Sequence, residues 1–240
     1  MIEFQRIQKK YGPNVLAGEA LKGVDGRIDN GEAVALYGPS GAGKSALLNI
    51  CGLLDCDYKG RVIIGDNAIT KTAEYTLLIR RRSVGHIMPG FSLVPTYTVS
   101  ENIEFPLLLN NVSKKERDNL IADMLARLNI ECYARFRPEQ LNSEITLRVL
   151  IARAFIHRPS AVVLDELPKK VGESEMLDTL SIIKQLSDEF GTAVLAATSN
   201  SSVADMCDRK IHLCNGHIVE HIPVSVIQRS VLAEALPWGR

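Results

Sequence analysis

The chain has 240 residues, 46% hydrophobic and 23% charged, a make-up ordinary for a soluble globular protein that buries a sizeable core in one large domain or two small ones. Lys+Arg and Asp+Glu are equal at 28 each, so no net field draws the whole chain to nucleic acid or anionic lipid, and partners must be chosen by local sites. Five cysteines (Cys51, Cys56, Cys132, Cys207, Cys214) are odd in number, widely spread and form no C-x-x-C pair, which fits reduced thiols in a cytosolic compartment better than a disulfide framework or a zinc site.

In chain order, residues 1–37 read as short strands and hairpins: IEFQRIQKKYG, then LKGVDGRIDNGE with alternating apolar and polar positions, then the apolar run AVALYG. ALLNICGLL after Ser45 has helical spacing, and RVIIG is a strand. A long stretch from about 114 to 157 reads as helical, with KKERDNLIADMLARLNI apolar at i, i+3, i+4. AVVLDE is a buried strand, MLDTLSIIKQLSDEF a helix, TAVLAATS a strand, and RKIHLCNGHIVE two short strands. No apolar run reaches the roughly 18 to 20 residues that span a bilayer, and residues 1 onward lack a signal-peptide pattern. Alternating strands and helices with β-rich ends predict an α/β fold with a parallel-centred sheet and an inserted helical subdomain.

GPSGAGKS at 38–45 matches G-x-x-x-x-G-K-[ST] between a predicted strand and a predicted helix, the context that motif requires. In such a loop successive backbone N–H groups curl around phosphate oxygens, the lysine reaches the β and γ phosphates, and the hydroxyl ligates Mg²⁺. The candidate nucleotide-binding residues are Gly38, Ser40, Gly41, Ala42, Gly43, Lys44, Ser45 and Ala46, with ATP and Mg²⁺ as the expected cofactors. The second half of the site is AVVLDE at 161–166. Asp165 at the C-terminal end of a parallel strand would join Ser45 in holding Mg²⁺, and Glu166 would orient or deprotonate a water attacking the γ-phosphate. Absence of an N-K-x-D motif disfavours a GTPase, and the Asp165-Glu166 pair suits water attack better than a kinase. The histidines (His86, His157, His212, His217, His221) lack metal-ligand spacing, and Arg80, Arg81 and Arg82 read as a solvated face.

On these residues the whole chain resembles the nucleotide-binding subunit of an ABC transporter, nearest the macrolide-exporter and lipoprotein-releasing (LolD-like) branch. The resemblance implies a P-loop NTPase of ABC type, a single domain over 1–240, with 1–85 and 158–240 as the core with its β subdomain and 86–157 as the helical subdomain. It implies that Tyr11 stacks on adenine, that the 89–106 region receives transmembrane permease subunits, and a peripheral location on the cytoplasmic face of the cell membrane.

LNSEITLRVLIARAF at 141–155 is similar to the family's LSGGQ signature helix, anchored by Arg148 and the IARA at 151–154. Locally, Asn142 or Ser143 reads as a helix cap with Glu144 complementing the dipole. Against the family pattern, Asn142, Ser143 and Glu144 stand where Ser-Gly-Gly presents bare N–H groups to a second subunit's γ-phosphate. Pro89 replaces a glutamine, Gly172 an aspartate, and Ser199 the switch histidine. Groups that hold nucleotide within one subunit remain, while groups that sense the γ-phosphate or reach across a dimer are replaced. Two readings follow: an ATPase subunit driving membrane subunits, with weak or partner-dependent hydrolysis, or a non-hydrolysing subunit that binds ATP structurally beside an intact partner. The dimer is a homodimer or a heterodimer, with the heterodimer favoured.

Overall fold

A computed structural model of the chain describes residues 1–12, 18–70, 72–88, 92–165 and 173–223. Its strands are β1 (Ile2–Lys10), β2 (Glu19–Ile28), β3 (Ala33–Tyr37), β4 (Lys59–Ile64), β5 (Asn67–Ala68), β6 (Val84–Ile87), β7 (Ala161–Asp165), β8 (Ala193–Thr198), β9 (Arg209–Cys214) and β10 (His217–Pro223). The helices are α1 (Lys44–Cys51), α2 (Ala73–Ser83), α3 (Val99–Leu109), α4 (Lys114–Arg127), α5 (Ser143–Phe155), α6 (Glu173–Phe190) and α7 (Ser201–Asp205).

The main sheet has the order β10-β9-β3-β8-β7-β6, parallel throughout except for β10, which pairs antiparallel with β9. Its central strands are apolar on both faces because both faces are covered. Alternation divides them cleanly: Val34, Leu36, Val163, Leu195 and Ile211 face one core with α1, while Val162, Leu164, Val194 and Ala196 face another with α3, α4, α5 and α6. A four-stranded antiparallel sheet, β2-β1-β4-β5, closes over the first core through Ile2, Phe4, Ile7, Leu21 and Ile64. The α/β class, the parallel-centred sheet and the antiparallel N-terminal strands are those the sequence predicts.

Three local expectations are corrected. The stretch from 114 to 157 is not one helical run, because Asn129 takes φ 53 after α4 and the chain then passes through two short 3₁₀ turns, Glu131–Tyr133 and Pro138–Gln140, before α5. Two helices and a strand, α2, β6 and α3, were unforeseen between 73 and 109. Arg80, Arg81 and Arg82 form the last turn of α2, where cations complement the helix C-terminus, and only Arg82 is exposed. Arg80 donates to the Leu53 carbonyl at 3.0 Å.

The segment after β6 is organised by two polar devices. Thr98 and Glu101 form a reciprocal capping box at the start of α3, at 3.2 and 2.7 Å. Asn102, fully buried, accepts from the Val94 N–H at 2.7 Å and donates to the carbonyls of Val94, Tyr97 and Thr98. Together they fix residues 94–98 as a turn on the helix.

Candidate nucleotide site

β3 ends at Tyr37 and the chain re-enters a helix at Lys44, so six residues must reverse direction at the C-terminal edge of the sheet. Two glycines make this possible. A Cβ at Gly38 would lie 2.1 Å from the Leu213 carbonyl oxygen, and one at Gly43 would lie 2.4 Å from that of Ala20, with φ +106 besides. The loop is braced from outside as well, because Ala42 accepts a hydrogen bond from the Gly216 amide at 3.0 Å and the Gly216 carbonyl accepts from Lys22 at 2.9 Å.

The first turn of α1 is left open. Gly43 at the N-cap supplies no side-chain acceptor, and no acidic residue occupies the turn. Its N–H groups and the positive end of the helix dipole therefore favour an anion. Lys44 is 6% exposed and its ammonium donates to the carbonyls of Gly38 at 2.7 Å and Pro39 at 2.9 Å, so the loop holds a cation within itself.

A cleft of about 460 Å³ opens at this point, lined by Tyr11, Ala20, Ser40, Gly41, Gly43, Lys44, Ser45, Ala46, Asn49 and Asp165. Tyr11, Ser40, Gly41, Gly43, Lys44, Ser45, Ala46 and Asp165 are sequence candidates that the fold brings together. Gly38 and Ala42 are buried in the same loop and shape it from behind. Asn142, Ser143 and Glu144 lie at the start of α5 and do not line this cleft, and Ser199 is exposed just beyond the end of β8. Glu166, Pro89 and Gly172 lie outside the described residues. Ala20 and Asn49 were missed. Asn49 is four residues after Ser45 on α1, so it shares that residue's helix face, a signal present in the sequence. Ala20 has no such signal, since only the β2 register brings it beside Gly43.

At the start of α5, Asn142 is the N-cap and its side-chain oxygen accepts from the Ile145 N–H at 2.8 Å. Glu144 pairs with Arg148 at 2.9 Å, and Arg148 also donates to the Leu128 carbonyl at 2.8 Å. Among the described residues no group of three or more His, Cys, Asp or Glu side chains is arranged to hold a metal, and no helix is long and apolar enough to cross a membrane.

A parallel sheet whose central strand runs through a glycine loop into an uncapped helix, with a carboxylate at the end of a nearby strand, is the architecture of P-loop nucleotide-binding proteins. Residues 21–168 match the family described as ABC transporter. The methionine import ATP-binding protein MetN of Xanthomonas campestris pv. campestris (strain 8004) is 35% identical over 228 residues, covering 95% of this chain and 68% of that protein. The lipoprotein-releasing system ATP-binding protein LolD of Ruegeria sp. (strain TM1040) is 36% identical over 225 residues, covering 91% and 97%. The dimeric post-hydrolysis structure of the ATP-binding cassette MJ0796 bound to ADP and Pi superposes with a TM-score of 0.83 at 30% identity, covering 94% of this chain and 99% of that one. The chain belongs to the ABC transporter family, among its ATP-binding subunits.

Proposed function

We propose that this chain binds ATP in the cleft over Gly38–Ala46 and couples binding and hydrolysis to the movement of membrane permease subunits. The observation that carries the reading is the uncapped first turn of α1, buried Lys44 and Asp165 around one cleft. Backbone N–H groups of the loop and α1 hold the phosphates, Lys44 exchanges its loop carbonyls for β and γ phosphate oxygens, and the Tyr11 ring stacks on the base. Mg²⁺ is the metal that suits the donors, because the Ser45 hydroxyl and Asp165 carboxylate are hard oxygen ligands on the same cleft. When bound, it neutralises charge developing on the phosphates. Glu166 follows Asp165 directly and orients the attacking water.

The same proposal has permease subunits docked along 89–106, dimerisation through the nucleotide face, and a peripheral position on the cytoplasmic side of the membrane; likeness to ATP-binding proteins of import and lipoprotein-releasing systems and to a dimeric cassette supports it. The division into a core over 1–85 and 158–240 and a helical subdomain over 86–157 belongs to the same reading.

A second reading is favoured by the start of α5. The helix end that would meet a partner's γ-phosphate has one N–H taken by Asn142 and carries the Glu144 carboxylate in its first turn. Like charge opposes a polyphosphate there. With Pro89 and Ser199 at two further family positions, hydrolysis is weak in a homodimer, and pairing with an intact relative gives this chain's own nucleotide a complete site. ATP binding and hydrolysis, measured with and without the membrane partner, test both readings. Tight binding with turnover abolished by Glu166→Gln is expected of an active ATPase. Binding with no turnover for Glu166→Gln to remove is expected of the structural subunit, and no ATP binding at all overturns both.

A further inference from the structure

Lys9 is a buried cation beside the candidate base-stacking ring. Its side chain is 5% exposed. The ammonium donates to Asp55 at 3.1 Å and to both the main-chain carbonyl and the carboxylate of Asp57, the latter at 3.2 Å, so its three protons are accounted for. Burial works against the charge, but the hydrogen bonds to Asp55 and Asp57 outweigh it and hold the lysine above its ordinary pKa. The same nitrogen sits 5.0 Å from the centroid of the Tyr11 ring, within cation–π range.

The two aspartates lie in the loop that leaves the phosphate-side helix. Asp55 N–H donates to the Asn49 carbonyl at 3.1 Å, and Asn49 is itself part of the cleft wall. A chain of contacts thus runs from α1 through Asp55 and Lys9 to the end of β1, where Tyr11 stands 48% exposed at the cleft. An aromatic ring has two stacking faces. The ammonium lies within cation–π range of a ring that also lines the cleft, and its charge withdraws density from the ring on which an electron-rich purine would stack.

We propose that Lys9, clamped by Asp55 and Asp57, is a positioning residue that holds Tyr11 edge and face for a nucleobase, so that base affinity depends on a residue that never touches the ligand. This rests on the nucleotide reading above.

The test is a double-mutant cycle on the purified full chain, with ATP and inorganic tripolyphosphate titrated separately in the presence of Mg²⁺. Lys9→Met should weaken ATP by roughly three- to tenfold, the worth of one partly desolvated cation–π contact, and leave tripolyphosphate unchanged. On a Tyr11→Ala background, Lys9→Met should add no further loss. Equal weakening of both ligands would make Lys9 a general attractor of phosphate and overturn the inference. A loss that persists without the Tyr11 ring, or wild-type ATP affinity in Lys9→Met, would overturn it too while leaving the nucleotide reading intact. A wild-type chain that binds neither ligand overturns both. Should Lys9→Met fail to fold, Asp57→Asn at a 96% exposed side chain is read in its place, with a smaller selective loss of ATP affinity expected and none refuting the inference.

Discussion

α1 and α5 both begin at polar loops, and they treat their first turns in opposite ways. α1 follows glycine in a left-handed conformation, with no side-chain cap and no acid. α5 follows Asn142, which takes up the Ile145 N–H, and carries in its first turn the Glu144 carboxylate, paired with Arg148 one turn on. The backbone dipole is the same at both ends. What differs is whether the local side chains have already used it, and a helix terminus receives an anion only where they have not. Glycine therefore matters at α1 twice, for a left-handed backbone with no room for a Cβ and for the acceptor it fails to supply.

The sharpest way to break the contrast is Lys44→Ala, which should lower ATP affinity about a hundredfold through loss of a buried charge-assisted contact to phosphate. Titration of Asn142→Ala beside it should show wild-type affinity in the isolated chain. Equal losses would mean that both helix ends hold the nucleotide.

Acid probes the far end of α5. His157, just beyond that helix, is pushed by burial from its ordinary value of 6.5 down to about 4. The unfolded chain takes up its proton over that window and the folded chain does not, so the stability is complete above about 6.5 and is lost as pH falls toward 4. Urea titrations should show roughly 2 kcal/mol less stability at pH 5 than at pH 7 from this group, a difference that His157→Leu removes. An unchanged pH slope in the variant would assign acid sensitivity elsewhere.

The smallest effect expected is that of the cap itself. Asn142→Ala should cost about 1 kcal/mol in chemical denaturation, the usual worth of an N-cap. A change near zero would mean that the pairing of Glu144 with Arg148 alone secures the start of α5.

The parts of the molecule legible in the sequence are those whose signal is local. AVALY and the AVVL that precedes Asp165 are short uninterrupted apolar runs, the pattern of strands buried on both faces. The glycine loop between β3 and α1 is legible because every residue of the motif has a chemical reason to be there. β6 was not legible, since VGHI is four residues long with a histidine inside, and that histidine's ring is satisfied by the Gly52 carbonyl at 2.7 Å from another segment. α3 hides behind Pro106 in its interior and exposed Phe105, Leu108 and Leu109, which blur its apolar face. In the cleft, Tyr11 and Asp165 were found from opposite ends of the chain, whereas Ala20 owes its place to strand pairing. Lys9 was invisible because nothing in KKYG marks which lysine turns inward to meet aspartates 46 and 48 residues away.

The brace between the Gly216 amide and the Ala42 carbonyl has a consequence for the order of events in biosynthesis. Residues separated by most of the polypeptide must meet before the glycine loop has its full support, and such distant meetings are slow. During translation, which proceeds at roughly 5 to 20 residues per second, the loop waits about 10 to 35 seconds after its own emergence for the closing hairpin to appear. A ribosome-bound chain stalled short of that hairpin would carry every residue of the loop and lack its outer support.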